Sequence, residues 1–150
     1  MRCLMKISTK GRYALRMLID LAEHHEDGFV ALKTIAERQN ISKKYLEQIV
    51  PILNRSGILL TNRGFQGGYQ LGREPSKITV GEILTLTEGN LFPVSCMGPD
   101  GNIYCDRQID CPTLPIWTGL NKVINDYLNG ISLQDIIDQS RDRGSDEYVI

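Results

Sequence analysis

Tyr13, Leu15, Leu18, Ile19 and Ala22 recur at the spacing of one helix face, after Ser8 and Thr9 and before His24 and His25, and predict a first helix. Gly28 breaks the pattern. Leu32, Ile35 and Ala36 then form the stripe of a short second helix that stops at Gln39 and Asn40. Ser42 is placed to cap a third helix that turns Leu46, Ile49 and Leu53 inward, and Gly57 is placed to end it. Pro51 falls inside this helix, where the lost donor and the ring against the Glu47 carbonyl predict a kink or a loosened turn. Ile58 to Thr61 has strand character, Arg63 to Gly68 is a turn, and Tyr69 to Leu71 returns. Thr79 and Glu82 make a capping box that opens a helix through Ile83, Leu84 and Leu86, ended by Gly89. Beyond a long irregular stretch, Ile116, Leu120, Val123, Ile124, Tyr127 and Leu128 form the longest apolar stripe in the chain. Ser132 with Asp135 caps a last short helix through Ile136 and Ile137, and the residues from Gln139 read as a mobile polar tail.

These elements describe a mainly α fold with a small β-hairpin. Two short helices joined by a tight turn, with small Ala36 at the crossing and Ile41 plugging the corner, read as a helix-turn-helix. The hairpin that follows is the wing of a winged helix. Residues 5–77 are expected to form this winged unit, and residues 78–150 a second region with an irregular loop, 90–112, and the long amphipathic helix.

Composition narrows the class. The chain has 150 residues, 41% hydrophobic and 23% charged, which suits one ordinary globular domain and excludes a multidomain enzyme or a disordered chain. Tyr13 to Ala22 is interrupted by Arg16 and Asp20, so it is no signal-peptide core, and no stretch approaches a membrane span. A cytoplasmic location is expected, where cysteines serve as thiols, metal ligands or redox switches rather than structural disulfides. The net charge of -1 hides a strong asymmetry. Residues 1–77 carry 13 Lys and Arg against 7 Asp and Glu, a balance of +6, whereas residues 78–150 carry 4 against 11, a balance of -7. A basic first half suits a polyanion; two solvated faces of one domain would give the same sums.

The local chemistry favours the polyanion. Lys43, Lys44, Tyr45, Glu47 and Gln48, with Arg55 farther on, lie on the outward side of the third helix, and Ser42, Lys43 and Lys44 fall where a major-groove helix presents its first turn. Glu47 can accept a hydrogen bond from a cytosine amino group, at a cost in affinity but a gain in discrimination. In the wing, Gly64, Gly67 and Gly68 permit close backbone approach to phosphate, Gln66 lies between them, and Arg63 is placed to enter a narrow minor groove. Lys6, Lys10, Lys43, Lys44, Arg55 and Arg63 are the candidates for neutralising phosphates. A glycine-rich turn alone is also simply a hairpin; its position after a basic helix pair gives it meaning.

Met5-Lys-Ile-Ser-Thr-Lys-Gly-Arg-Tyr-Ala14, Tyr45-Leu-Glu-Gln48, Arg63-Gly-Phe-Gln-Gly-Gly-Tyr69 and Ile78-Thr-Val-Gly-Glu82 together resemble the iron-sulfur cluster regulator (IscR-like) family of bacterial winged-helix transcription factors. That family also holds the cysteine-metabolism repressor (CymR-like) and nitric-oxide-sensing (NsrR-like) branches. The resemblance implies a homodimer on a roughly palindromic double-stranded operator, with the long C-terminal helix as the dimerisation helix; packing of that helix against its own domain is the alternative. By position it puts the base-reading Glu on Glu47, neighbouring contacts on Lys44 and Tyr45, and the wing Arg on Arg63. It begins at Met5, so translation from Met1 or from Met5 stays open.

Cys96, Cys105 and Cys111 are spaced C-x8-C-x5-C among Gly, Pro and Asp, which fits neither the paired C-x2-C of a zinc ribbon nor an enzyme nucleophile signature. The resemblance to the IscR-like and NsrR-like branches implies that the three hold an iron-sulfur cluster, of the 2Fe-2S type, since thiolates match iron. The fourth ligand of neither branch carries over: the His position is Leu114 and the acidic position is Arg12. Asp100, Asp106, Asp110, an external thiol or Cys3 of a second chain remain as fourth ligands, and three free thiols are the alternative. The N-terminal wording and the ending at Tyr148 resemble the CymR-like branch, which implies control without a cluster, through a cysteine-synthesis enzyme as partner. His24 and His25 point about 100° apart on a helix and cannot converge on one ion, so they read as a solvated helix end. No nucleophile with a base at motif spacing, phosphate loop or cofactor fingerprint is present, so an enzyme is not expected.

Overall fold

The computed structural model describes residues 5–98 and 102–146; Cys3, Asp100 and Tyr148 lie outside the described residues, as does the rest of 1–4. The first helix, α1, is Thr9–Glu23. Ser8 caps it, its oxygen accepting from the Gly11 N–H at 3.4 Å, while the Ser8 N–H and hydroxyl both donate to Glu88 Oε1, at 2.9 and 2.7 Å. A carboxylate is thereby held at the positive end of the helix. Glu88 ends α4, Val80–Glu88, which lies directly against α1. Gly11 makes that approach possible, because a Cβ there would stand 2.5 Å from Glu88 Oε1 and 2.9 Å from Leu84.

The helix-turn-helix consists of α2, Leu32–Gln39, and α3, Lys43–Arg55. Asn40 closes α2 in the left-handed conformation (φ 52°), a state its short polar side chain tolerates, and the buried Ile41 fills the corner. The oxygen of Ser42 accepts from the Tyr45 N–H at 3.2 Å, and α3 runs through Pro51 to Arg55. The strands β1, Leu59–Asn62, and β2, Gly68–Leu71, pair antiparallel, with Leu59 opposite Leu71 and Asn62 opposite Gly68. β1 begins one residue later and β2 one residue earlier than the sequence pattern set them; fully buried Ile58, just ahead of β1, still accepts from the Gly72 N–H at 2.8 Å. Val30 joins the hairpin through paired backbone bonds to Tyr69, 2.9 and 2.8 Å.

The second region is laced to the first. The segment before α4 pairs with the segment before α6, Leu133–Asp146: Val80 N–H donates to Ile131 O and Leu133 N–H to Ile78 O, each at 2.9 Å. Ile78, Ile83 and Leu133 join Met17, Leu18, Ile35, Leu46, Ile49 and Leu53 in the main core. Ser132 and Asp135 cap α6 reciprocally, at 2.8 and 3.1 Å. The box at Thr79 is only half of one: Thr79 accepts from the Glu82 N–H at 3.1 Å, but the Glu82 carboxylate turns outward to Arg73. The helix at the C-terminus is also longer than expected. Residues from Gln139 to Asp146 continue α6 instead of forming a tail; their polarity marks a helix with no apolar face to bury, which periodicity does not detect. The remaining long helix, α5, is Leu114–Asn129.

One buried carboxylate orders the helix-turn-helix against α1. Asp20, 1% exposed, accepts from Arg38 Nε at 3.1 Å, from Arg38 Nη2 at 2.6 Å and from Gln39 Nε2 at 2.9 Å. Arg16 in turn donates to the backbone and side chain of Gln39. Removing one partner of a buried, bidentate pair strands the other. Asp20→Ala is therefore expected to lower stability in a denaturant titration by about 3 kcal/mol. Lys33→Ala, which removes an exposed pair with Glu37, should change it by less than about 1 kcal/mol.

Candidate nucleic-acid interface and cysteine loop

A groove of about 580 Å³ opens between the start of α2, the outer side of α3 and the hairpin. Of the residues singled out in the sequence, Lys43, Glu47, Arg63, Gly64, Gly67 and Gly68 line it together, although the two on the helix stand 16 to 25 positions before the four of the turn. Lys33, Asn54, Thr61 and Asn62 line it as well. The sequence reading missed these four; Lys33 could have been found as a cation in the first turn of the second helix, whereas the other three have no signal before the hairpin is folded back. Thr61 Oγ1 donates to Asn54 Oδ1 at 2.9 Å and ties β1 to α3.

Inside the groove Lys43 Nζ lies 3.8 Å from Glu47 Oε1, both side chains more than half exposed, so the carboxylate has a weak partner that a base donor can displace. Lys44 and Gln48 are exposed on α3 beside the groove, and the exposed Ser42 spends its oxygen on the cap. Tyr45 is half-buried and packs edge-to-face on Tyr13, ring centres 5.2 Å apart, with the Arg16 guanidinium 5.4 Å from the Tyr13 ring. Gln66 is exposed in the turn. Arg55 does not reach the groove; its Nε donates to Pro51 O at 3.2 Å. Lys6 and Lys10 stand at the start of α1, also outside its lining.

The loop after α4 begins at Gly89, whose φ of 83° lets the chain leave the helix. Buried Leu91 packs with Val80 and Leu84 and pins it to the body, and buried Met97 pairs with Ile103 within the loop. Cys96, Cys105 and Cys111 are free thiols, each half-buried. Three soft donors suit iron, but their arrangement does not: among the described residues no three His, Cys, Asp or Glu side chains come close enough to hold a metal ion. Asp106 and Asp110 are exposed and do not complete a set. The three thiols are thus dispersed among the described residues: the Cys96 carbonyl accepts from Tyr104 N–H at 2.7 Å across the loop, whereas the carbonyls of Cys105 and Cys111 close local turns with Gln108 and Leu114. His24 and His25 likewise face backbone carbonyls, of Asp20 and Ala22, and not a shared ion.

Cys111 has a distinct setting just ahead of α5. Its Sγ lies 3.4 Å from Thr113 Oγ1, which itself accepts from Trp117 Nε1 at 3.2 Å. With the indole filling the acceptor side of the hydroxyl, its proton is free to point at sulfur. The Thr113 hydroxyl, and then the Thr113 backbone N–H, hold the thiol below its ordinary range; desolvation opposes them, and the Leu114 N–H and the Arg107 charge assist. The following helix carries an unpartnered apolar stripe. No residue of α5 is buried, and Ile116, Leu120, Val123 and Tyr127 are exposed on one side, the last two by 64% and 67%. No helix among the described residues is long and apolar enough to cross a membrane.

Residues 7–139 match the family described as Rrf2, iron-dependent transcriptional regulator. The chain is 41% identical over 146 residues to a protein of Neisseria meningitidis serogroup A named for a helix-turn-helix transcriptional regulator, covering 97% of this chain and 96% of that one. It is 38% identical over 133 residues to the transcriptional regulator IscR of Yersinia enterocolitica, 89% of this chain and 79% of that one. The solved structure of CymR, the global cysteine regulator of B. subtilis, superposes with a TM-score of 0.73 at 36% identity, over 91% of this chain and 98% of that one.

The lowered thiol has a measurable consequence. Cys111 is expected to react with iodoacetamide with a pH midpoint below that of an ordinary cysteine, since the thiolate persists to lower pH. Thr113→Val should move the midpoint upward; peptide mass spectrometry that finds the two midpoints equal would remove the hydroxyl from the account.

Proposed function

The chain belongs to the Rrf2 family of transcriptional regulators, a non-enzymatic family, and on that premise we propose that it is a dimeric, sequence-specific DNA-binding regulator governed by its cysteine loop. The observation that carries the reading is the groove that Lys33, Lys43 and Arg63 line together with Glu47. Cations on two helices and a hairpin turn suit the phosphates on either side of a major groove, and one carboxylate among them suits base selection. In this reading α3 lies in the major groove and Arg63 enters the neighbouring minor groove, with Lys44, Tyr45, Gln48, Gln66 and the turn glycines close to the duplex. Lys6, Lys10 and Arg55 add phosphate contacts at its margins. Residues 5–77 are the reading unit and 78–150 the controlling one. The exposed stripe of α5 supports a second copy as its cover, since four large apolar side chains on one face of a helix invite burial. A two-fold dimer reads an inverted repeat. The protein acts in the cytoplasm, where such DNA is found.

Control by a 2Fe-2S cluster on Cys96, Cys105 and Cys111 draws support from the iron dependence in the description of the matching family and from the soft donor set. It requires the loop to rearrange. A second reading, control by thiol chemistry or by a cysteine-synthesis enzyme bound as partner, is favoured by the dispersed thiols and by the setting of Cys111.

Selection from random-sequence DNA by the purified protein is expected to return an inverted repeat. On that duplex Arg63→Ala should weaken binding and flatten the plot of log affinity against log salt by about one unit. Glu47→Ala should broaden the selected sequence by about tenfold at one position in each half-site, and an unchanged preference would remove Glu47 as the base reader. Anaerobic purification is expected to yield coloured protein with stoichiometric iron and sulfide, both lost in the Cys96/Cys105/Cys111 triple Ala variant. Colourless protein that still binds DNA would leave the second reading standing.

A further inference from the structure

Phe65 is fully exposed, 105% of its reference area, whereas the other two phenylalanines of the chain, Phe29 and Phe92, are half-buried. It occupies the corner of a four-residue turn, Gly64 to Gly67, closed by a 2.9 Å bond from Gly67 N–H to Gly64 O. Both ends of this turn are restricted to glycine: Gly64 has φ 131°, and a Cβ on Gly67 would stand 2.7 Å from Asn62 O. The turn is therefore tight and defined, and it lifts a phenyl ring clear of the body. Nothing local gains from the ring, since a turn corner is ordinarily polar. The support beneath it is rigid as well. Val30 extends the hairpin into a third strand position at Tyr69, and Thr61 bonds to Asn54 on α3, so the ring is carried at a fixed offset from the basic groove.

We propose that Phe65 is an apolar wedge that enters the DNA minor groove beside Arg63, partly unstacks a base step and bends the duplex. The inference rests on the DNA-binding reading above and extends it. Charge selects DNA over a protein partner: residues 62–68 carry one charge, the guanidinium of Arg63, and no carboxylate. Arg63 is two residues from the ring and lines the same groove as Lys33 and Lys43. A cation paired with a bulky apolar side chain on a narrow turn is the combination that minor-groove proteins use, the cation drawn by the groove potential and the ring by the stack. The ring would also read sequence without hydrogen bonds, since flexible pyrimidine–purine steps open most easily.

The test uses the full chain and the duplex selected by the wild type, end-labelled for energy transfer and carrying 2-aminopurine at the steps facing the turn. Phe65→Ala is expected to bind about tenfold more weakly at every salt concentration, with the slope against salt unchanged, because no phosphate contact is lost. The bend should fall by roughly 20° or more, and the rise in 2-aminopurine emission on binding should disappear. Phe65→Leu should restore part of both. Wild-type affinity and bend in Phe65→Ala would overturn the wedge and leave the ring to a protein partner. A flattened salt slope would also overturn it, by showing that the variant had displaced Arg63. If the wild type enriches no sequence, the DNA-binding reading fails and the wedge fails with it; enrichment with an unaltered Phe65→Ala variant fails the wedge alone.

Discussion

The helix-turn-helix is held in register by a carboxylate that water does not reach. Asp20 receives three hydrogen bonds from the last two residues of α2, so the end of that helix, the tight turn at Asn40 and the start of α3 are all referred to one point on α1. Desolvating a carboxylate is costly, and here the cost is offset by a bidentate guanidinium and an amide with fixed geometry. Apolar packing alone would let α2 slide along α1 by fractions of a turn. A directional pair does not. The outward residues of α3 inherit their positions from this arrangement, since the same α1 also packs on Tyr45 through Tyr13.

Much of this was legible in the chain. The caps at Ser42, Thr79 and Ser132 all lie where the residue types predict them, because capping is a local interaction with a fixed offset. Hairpin and helix-turn-helix followed from short-range patterns of the same kind. What could not be read is whatever depends on a partner distant in sequence. Asp20 looked like an interruption of an apolar stretch, and only folding reveals it as an anchor. Glu82 was read as half of a local box, yet its carboxylate goes to Arg73. Residues 139–146 lack an apolar face and so look like a tail, although the helix they extend is already nucleated by Leu133 and Ile137.

The candidate site divides in the same manner. Lys43, Glu47 and Arg63 were found by residue type and element, and folding puts them on one groove. Arg55, chosen as an exposed cation on the same helix, bends back to its own backbone. The three cysteines were read as a set because of their resemblance to a ligand loop; among the described residues they are dispersed, and Cys111 faces the Thr113 hydroxyl, which the Trp117 indole holds from its other side. A spacing of 8 and 5 residues puts no geometric demand on a segment without helix or strand pattern, so the sequence could suggest the set without fixing its shape.

The bracing of the hairpin has a further consequence. With Val30 bonded to Tyr69 on one side and Thr61 to Asn54 on the other, the turn and α3 cannot change their separation independently. In the proposed complex they form the two jaws of a rigid caliper. A duplex whose major and minor grooves differ from the jaw spacing must twist or compress to fit, and the elastic work of doing so depends on base steps that neither jaw touches. Mechanical stiffness in the protein then becomes a means of choosing among DNA sequences, separate from any hydrogen bond made at the groove floor.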